Sequence, residues 1–192
     1  MTESQVLVNK ILSGNTKAFE KLIEEHKQLV GHIVFRMIPN LQDREDICQD
    51  VFIKVFQNLA EFRFESKIST WMARITYNTC VNYLREKKEV AFSDLQNKDE
   101  NQEIMIVENE NYSPEKSAEE KDISVRLQEE IANLPLQYRT ILTLYHLEDM
   151  SYAEIGKIMQ WPEGTVKSYL FRARKLLKEN LLSKYQVEDL WH

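Results

Sequence analysis

Basic side chains are concentrated in one stretch near the C-terminus of the chain, between residues 164 and 178. The stretch has no acidic residue, and its basic residues are Lys167, Arg172, Arg174, Lys175 and Lys178. Guanidinium and ammonium groups at this density bind phosphate oxygens. Thr165, Lys167, Ser168 and Tyr169 stand at its start, with groups that can hydrogen-bond base edges. The chemistry that these residues predict is binding of nucleic acid.

Two helices must position these residues, according to the pattern of residues 151–178. Ser151 and Glu154 have the spacing of a capping box, and Ile155 begins an apolar face at helical spacing. Pro162 disfavours helix at the residue before it, so a second helix begins at about Glu163. Its inner face consists of Val166, Leu170, Ala173 and Leu177. The pattern is typical of a helix-turn-helix, and also of an amphipathic helix pair with a solvated basic face.

A second candidate site lies on a helix predicted over residues 70–88, after a loop at 62–69. One face of this helix carries Trp71, Ile75, Asn78, Asn82 and Arg85. Bases of single-stranded nucleic acid stack on rings and hydrogen-bond amides, so this face suits melted nucleic acid. A half-buried helix with an internal hydrogen-bond network fits the same residues.

A third candidate site lies on the preceding helix, predicted over 44–62 with Asp43 as its cap. Its inner stripe consists of Ile47, Val51, Val55, Leu59 and Phe62. Phe52 and Phe56 lie partly off this stripe, beside Asp46, Gln49 and Asp50. These residues indicate a protein-docking surface, although the two rings could equally widen the core stripe.

Further helices are predicted on both sides of these sites. Residues 2–13 form one with Val6, Ile11 and Leu12 inward, and Asn15 caps another that reaches about Ile38. In the C-terminal half, Ser113-Pro114 starts a helix that runs to Asn133 with Ile123, Leu127 and Ile131 inward. Pro135 starts the next, with Tyr138, Ile141, Leu142 and Tyr145 packed against the helix-turn-helix.

The composition predicts an all-α protein, because the 192 residues include only four Gly and four Pro. The net charge of −6 is unusual for a nucleic-acid binder, but residues 89–120 alone carry −8. That acidic stretch has no helical period and predicts a flexible linker, with an apolar island at Ile104–Val107. We expect domains at 1–88 and 114–183, a linker at 89–113 and a tail at 184–192.

Several classes of protein are disfavoured. No run of eighteen apolar residues or signal peptide is present, which favours a cytoplasmic location. Cys48 and Cys80 are too few for a disulfide framework and read as buried thiols. His26 and His32 lack partners at metal-ligand spacing, and no catalytic constellation is evident. We therefore expect no enzyme activity, no metal and no cofactor.

Three segments, at 43–59, 69–88 and 134–177, resemble in order the conserved regions of bacterial RNA polymerase sigma factors. They read DREDICQDVFIKVFQNL, STWMARITYNTCVNYLREKK and LPLQYRTILTLYHLEDMSYAEIGKIMQWPEGTVKSYLFRARKLL. The chain is most similar to the small two-domain group, the extracytoplasmic-function (ECF) sigma factors. The resemblance covers residues 15–38, 43–88 and 114–180.

The resemblance implies roles for each segment. The third helix would dock on the clamp helices of the largest polymerase subunit through Asp46, Gln49, Asp50, Phe52 and Phe56. The promoter would be melted and its minus-ten element held by Phe62, Arg63, Lys67, Trp71, Asn78, Asn82 and Arg85. The minus-thirty-five element would be read by Glu163, Gly164, Thr165, Val166, Lys167, Ser168, Tyr169, Arg172, Arg174 and Lys175. The C-terminal domain would also meet the polymerase flap, and an anti-sigma factor would be a further partner, without membrane insertion of this chain.

Three features depart from the family pattern. Asn78 and Asn82 stand where the family usually has an Asn-x-x-x-Asp pair, Tyr169 stands where Arg is common, and Gln160 stands where Gly often makes the turn. Two other functions fit the residues. One is a stand-alone helix-turn-helix regulator with residues 1–88 as a dimerisation or sensor domain. The other is a helical adaptor or anti-sigma mimic that works through its acidic linker.

Overall fold

The computed structural model describes residues 2–93 and 122–185, and its regular elements there are helices. The N-terminal bundle consists of α1 (Glu3–Leu12), α2 (Thr16–Met37), α3 (Leu41–Asn58) and α4 (Ile68–Ser93). The C-terminal bundle consists of α5 (Asp122–Ala132), α6 (Leu136–Leu142), α7 (Tyr152–Met159) and α8 (Glu163–Lys184). A 3-10 turn at Leu59–Glu61 follows α3, and a π-helical segment at Thr143–Leu147 continues α6. The all-α prediction is confirmed.

Local capping signals account for most helix starts. Thr2, Asn15 and Ser151 cap α1, α2 and α7 through their side chains, and Ser151 with Glu154 forms the predicted capping box. The prediction for α3 was wrong, because Asn40 caps it by accepting a hydrogen bond from the Gln42 amide at 2.9 Å. Asp43 lies in the first turn of α3 instead.

Burial corrects three predicted inward residues. Val6 and Leu12 are exposed on α1, where Val8 and Ile11 are buried. Leu127 is also exposed, on α5. Helix α4 continues to Ser93, past the predicted end at residue 88. Ser113-Pro114, the Ile104–Val107 island, Ile123 as an inward side chain and the tail from residue 186 lie outside the residues or side chains that the structure describes.

The two bundles contact each other directly. Helix α4 packs on α7, and α2 packs on α6. Arg139 of α6 is buried at this contact and donates hydrogen bonds to the carbonyl oxygens of Ala132 (2.9 Å) and Met37 (3.5 Å). Burial, together with Arg36 and Arg44, lowers the pKa of Arg139 to about 10. His32 Nδ1 lies 2.5 Å from Glu148 Oε1 across the same contact.

The two cysteines do not form a disulfide. Cys80 is buried and Cys48 is half-buried in the N-terminal bundle. Burial is the main cause that raises the pKa of the Cys80 thiol to about 12. None of the helices in the part of the chain that the structure describes is long and apolar enough to cross a membrane.

Candidate functional site

The outer face of α3 is a mixed acidic and apolar surface. Asp46, Gln49 and Asp50 are exposed there. Phe56 is 55% exposed, with its ring edge-on to Phe19 at 5.0 Å, whereas Phe52 is half-buried. Of the two alternatives for these rings, exposure favours a docking surface for Phe56 and a shared core role for Phe52. Apolar groups beside carboxylates and amides suit binding to another protein.

Sequence reasoning missed Ile53, which lies on the same face and is 53% exposed. Its position three residues after Asp50, and off the buried stripe of α3, is the signal that could have found it.

Polar contacts with α4 hold α3 in place. The Tyr83 hydroxyl donates to the Asp43 carboxylate, and Lys87 Nζ lies 3.1 Å from Asp43 Oδ2. The hydrogen bond from Tyr83, then that from Lys87, lowers the pKa of Asp43. The outer faces of α3 and α4 are therefore held in a defined relation.

The predicted face of α4 is largely open to solvent. Asn78, Asn82 and Arg85 are exposed, and Trp71 and Ile75 are half-buried. Such a face presents amides and a cation with an accessible ring edge, which is the surface that single-stranded nucleic acid requires. The alternative, an internal hydrogen-bond network on this face, has no support, because the side-chain hydrogen bonds described for α4 involve Thr70, Thr76, Thr79, Tyr83 and Lys87.

Phe62 was predicted to contact nucleic acid directly, but the structure places it in the core at 7% exposure. Its ring centroid lies 5.1 Å from that of Trp71 and 4.6 Å from that of Phe64. Phe62 therefore packs against the Trp71 ring from the side of the core. Arg63, by contrast, is exposed.

A cleft of about 390 Å³ lies between the loop after α3, the start of α4 and the end of α7. Arg63 and Trp71 line it from one bundle, and Gly156 and Gln160 from the other. Arg74 lines the same cleft and was not among the predicted site residues. The sequence does indicate Arg74 as a candidate, because it belongs to the basic cluster between residues 63 and 88. The cleft therefore places part of the predicted minus-ten surface against the end of α7.

Lys67 connects the two bundles. Its Nζ lies 3.0 Å from Oε1 of Glu154, and the Thr70 hydroxyl donates to the same oxygen at 3.3 Å. Burial by itself raises the pKa of Glu154, but hydrogen bonds from Ser151 and Lys67 outweigh it and lower the pKa to about 2. Glu154 is therefore a carboxylate that caps α7 and also holds Lys67.

The outward face of α8 carries the predicted reading residues. Gly164, Lys167, Ser168, Arg172 and Lys175 are exposed. The Ser168 hydroxyl donates to the Gly164 carbonyl at 2.9 Å, and Lys167 Nζ lies 5.6 Å from the centroid of the Tyr152 ring. Glu163 is exposed at the start of the helix and Thr165 is half-buried. A basic, exposed helix of 22 residues suits a major groove.

Three residues predicted to read bases face elsewhere. Val166 is fully buried in the core. Tyr169 is half-buried, 4.5 Å from the Trp161 ring and 5.7 Å from the Tyr138 ring. Arg174 Nε donates to His146 Nε2 at 3.2 Å, and its guanidinium stacks over Tyr145. These side chains hold α8 against α6 and α7.

The outward face also contains Phe171, which is 68% exposed and was not predicted as a site residue. It precedes Arg172 and lies off the inner stripe formed by Val166, Leu170 and Ala173. An exposed ring among cations, on a helix predicted to read bases, suits contact with a thymine methyl group. Its departure from the inner stripe is the signal that could have identified it.

The turn between α7 and α8 has a left-handed residue at its corner. Gln160 has φ 60° and ψ 40°, and its backbone N–H donates to the Gly156 carbonyl oxygen. A Cβ at Gly156 would lie 2.7 Å from the Trp161 carbonyl oxygen. Gln160 therefore takes the conformation that glycine usually takes at a helix end, and the turn is tight because Gly156 has no side chain.

Among residues 2–93 and 122–185, no group of three or more His, Cys, Asp and Glu side chains could hold a metal ion. His26 Nδ1 instead lies 3.0 Å from the Leu22 carbonyl oxygen, and His32 pairs with Glu148.

Comparison with known proteins decides the family. A model of Sigma-70 region 2 matches residues 22–90, and a model of Sigma-70, region 4, matches residues 124–177. The ECF RNA polymerase sigma factor SigW of Bacillus subtilis is 30% identical over 91% of this chain and 94% of its own length. The ECF RNA polymerase sigma-E factor of Escherichia coli is 36% identical over 90% of this chain and 91% of its own.

The chain belongs to the ECF sigma factors.

Solved structures support the same fold. A structure of CnrH in complex with the cytosolic domain of CnrY superimposes with a TM-score of 0.66, at 18% identity over 94% of this chain and 97% of that one. The sigma factor RpoE in complex with the anti-sigma factor NepR, from Bartonella quintana, gives a TM-score of 0.64, at 22% identity over 88% of this chain and 99% of that one.

The family match also establishes the general function. This ECF sigma factor binds RNA polymerase and directs promoter-specific initiation of transcription. Neither the family matches nor these relatives support the stand-alone regulator or the adaptor. The region 2 match contains the surfaces on α3 and α4, and the region 4 match contains α7 and most of α8.

Proposed function

We propose that this ECF sigma factor uses three separate surfaces during initiation: α3 for the polymerase, α4 for the melted minus-ten element and α8 for the minus-thirty-five duplex. The observation that carries the proposal is the exposure pattern. On each helix one stripe of side chains is buried inside the protein, and the exposed side chains have the chemistry that the assigned partner requires. Catalysis of RNA synthesis remains with the polymerase.

The proposed polymerase contact is the clamp of the largest subunit, held by the acidic and apolar face of α3. Asp46, Gln49 and Asp50 would form its polar part, and Phe56 and Ile53 its apolar part. We further propose that the C-terminal bundle meets the polymerase flap. In the apolar centre of a protein interface an introduced charge is costly because it is desolvated without a partner.

Binding to core polymerase, measured by fluorescence anisotropy of the labelled sigma factor, tests the α3 contact. Ile53→Arg should weaken binding by tenfold or more, on the order of 1.4 kcal/mol. Leu41→Arg is the matched control, because Leu41 is 57% exposed on another face of the same helix. Equal affinities of the two variants would exclude this face as the main contact.

The proposed DNA contacts divide between the two bundles. On α4, the Trp71 ring and the amides of Asn78 and Asn82 would receive an unpaired base, with Arg63, Lys67 and Arg85 on phosphates. On α8, Lys167 and Ser168 would face base edges, and Arg172 and Lys175 would face phosphates.

Run-off transcription with core polymerase is the direct test of the whole proposal. The wild-type chain should stimulate transcripts from a cognate promoter, and Arg172→Ala should reduce them while Lys10→Ala on α1 does not. If neither core binding nor promoter-dependent transcription were observed for the wild-type chain, the assignment of the three surfaces would fail.

We also propose a cytoplasmic location and an anti-sigma partner. One structure with this fold contains the sigma factor RpoE in complex with the anti-sigma factor NepR. Another contains CnrH in complex with the cytosolic domain of CnrY. A pull-down of the tagged chain from its own organism, with mass spectrometry, should recover one non-polymerase protein in stoichiometric amount. Recovery of polymerase subunits alone would contradict this part of the proposal.

A further inference from the structure

An open groove of about 890 Å³ lies between the C-terminal bundle and α2. Its lining is mainly aliphatic, and three of its leucines are unusually open to solvent: Leu127 (37%), Leu147 (49%) and Leu182 (47%). Exposed leucines that line one groove are typical of a surface that binds a peptide segment or another protein. None of the residues assigned above to the polymerase clamp, the minus-ten element or the minus-thirty-five element in the proposed function lines this groove.

The groove is also basic. Arg36, Arg174 and Lys178 line it, and none of its described lining residues is acidic. Arg36 donates to the neutral amide oxygen of Gln128, and burial followed by the nearby charge of Arg44 lowers the pKa of Arg36. Arg36 is therefore partly desolvated, while Arg174 and Lys178 are exposed. Three cations with no carboxylate among the described groove residues favour an acidic occupant.

The C-terminal segment of this chain has the matching chemistry. Residues 186–192, which lie outside the described residues, read QVEDLWH. They combine two carboxylates, Glu188 and Asp189, with the large apolar pair Leu190 and Trp191, and contain no Lys or Arg.

The position where α8 ends makes the groove reachable. Helix α8 ends at Lys184, and the next residue, Tyr185, stacks against Arg126 of α5 at 5.0 Å. Arg126 directly precedes Leu127 of the groove. Seven residues extend to about 24 Å, and the groove runs about 12 Å along α8 from Leu182 to Arg174. The segment is therefore about twice as long as the distance it must cover.

We propose that residues 186–192 fold back into this groove of the same molecule. Leu190 and Trp191 lie on the leucines, and Glu188 and Asp189 face Arg36, Arg174 and Lys178. Because so short a tether holds the segment at an effective concentration on the order of millimolar, weak contacts suffice for occupancy. A partner helix that uses the groove must first displace the segment.

Photocrosslinking of the full-length chain tests the proposal. Benzoyl-phenylalanine is placed at position 191 instead of Trp191, and crosslinked peptides are identified by mass spectrometry. We expect intramolecular crosslinks to peptides that contain Leu127, Leu147 or Leu182. Crosslinks only between chains, to the segment at 104–107 or to surfaces outside the groove would overturn it.

Variants of the groove and the tail add specificity. Leu147→Glu should abolish the crosslink, since it places a carboxylate beside those of the tail, whereas Leu41→Glu on α3 should leave it intact. The double variant Glu188→Gln with Asp189→Gln should lower the yield of the crosslink and make that yield independent of salt concentration. Circular dichroism checks that each variant is folded, and an unchanged crosslink in Leu147→Glu would contradict the proposal.

Dye binding gives an independent readout that requires neither DNA nor polymerase. Deleting residues 186–192 should expose the groove and increase the fluorescence of an anilinonaphthalene sulfonate probe. The double variant Leu190→Ser with Trp191→Ser should do the same, and Leu147→Glu should cancel the increase. If the deletion left the fluorescence unchanged, the groove would not be covered by this segment.

Discussion

Phe171 is 68% exposed on the outward face of α8, so its ring contributes little to folding and is available to a partner. We predict that Phe171→Ala leaves stability unchanged and weakens binding to cognate duplex by about fivefold, about 1 kcal/mol. Leu182→Ala, also on an exposed position of α8 but near its end, should not affect binding. Electrophoretic mobility shifts with the cognate duplex measure both variants, and equal effects would show that Phe171 is not a DNA contact.

Single residues also show what the sequence could and could not reveal. The spacing of Val166, Leu170 and Ala173 correctly predicted the buried stripe of α8. The same spacing should have excluded Val166 from the reading residues, whereas the resemblance included it. Arg174 is different, because its stacking on Tyr145 depends on a segment 29 residues earlier in the chain, and no local pattern encodes that contact.

At the scale of elements, two substitutions in the α7–α8 turn should change the free energy of unfolding in opposite directions. Gln160→Gly should raise the free energy of unfolding by roughly 0.5–1 kcal/mol, because relief of the left-handed strain exceeds the entropy cost of glycine. Gly156→Ala should lower it by about 1–3 kcal/mol, since the new methyl group meets the Trp161 carbonyl oxygen.

Urea unfolding measures both variants of the turn. Gly31→Ala on α2 is the matched control, because a Cβ there meets nothing within 4 Å, and it should stabilise the protein. A Gly156→Ala variant as stable as Gly31→Ala would mean that the turn is looser than the structure shows.

The exposed face of α4 makes a second prediction at this scale. Asn78→Asp together with Asn82→Asp brings negative charge towards the phosphates, so binding to single-stranded minus-ten DNA should weaken, most at low salt. Asn9→Asp on α1 is an exposed control with the same change of charge per site. Fluorescence anisotropy of a labelled oligonucleotide over a salt series measures the effect. Tighter binding of the double variant would show that Asp is the better residue at these positions.

The presence of each helix was more predictable than the residues at which it ends and the exposure of its side chains. Capping side chains and apolar periodicity located α1, α2, α7 and α8, because these signals are local. The start of α3 was missed because both Asn40 and Asp43 can cap, and the chain uses Asn40 while Asp43 pairs with Tyr83. Leu127 was predicted inward but lines a groove, since only tertiary packing decides which apolar residues are covered.

At the scale of the whole molecule, the contact between the bundles was not predictable from the sequence. Lys67 and Glu154 are far apart in the chain, and each has a sufficient local reason for its type: Lys67 lies in a basic loop, and Glu154 completes a capping box. Non-local ion pairs of this kind leave no periodic signal. Their consequence is that one residue proposed to bind DNA is held by the other bundle.

Acid should loosen this contact. The pKa of Glu154 is about 2 in the folded chain and its ordinary value is 4.5. A depressed pKa means that the carboxylate stabilises the fold fully above its ordinary value, and that this stabilisation is lost as pH falls from about 4.5 towards 2. The radius of gyration from small-angle scattering should therefore rise in that interval. The Glu154→Gln variant should show a smaller change there, and an identical curve would contradict this role of Glu154.

The same ion pair implies a competition between the second bundle and DNA for Lys67. Glu154→Gln keeps the capping box, in which Gln also serves, but removes the charge that holds Lys67. Because exposed ion pairs contribute about 0.2–1 kcal/mol, the variant should bind single-stranded minus-ten DNA up to about fivefold more tightly at low salt. Glu148→Gln is the control, since Glu148 also lies at the bundle contact but pairs with His32. Anisotropy titrations in which both variants gain equally would point to general loosening of the bundles, and unchanged affinity for Glu154→Gln would show that Lys67 does not contact DNA.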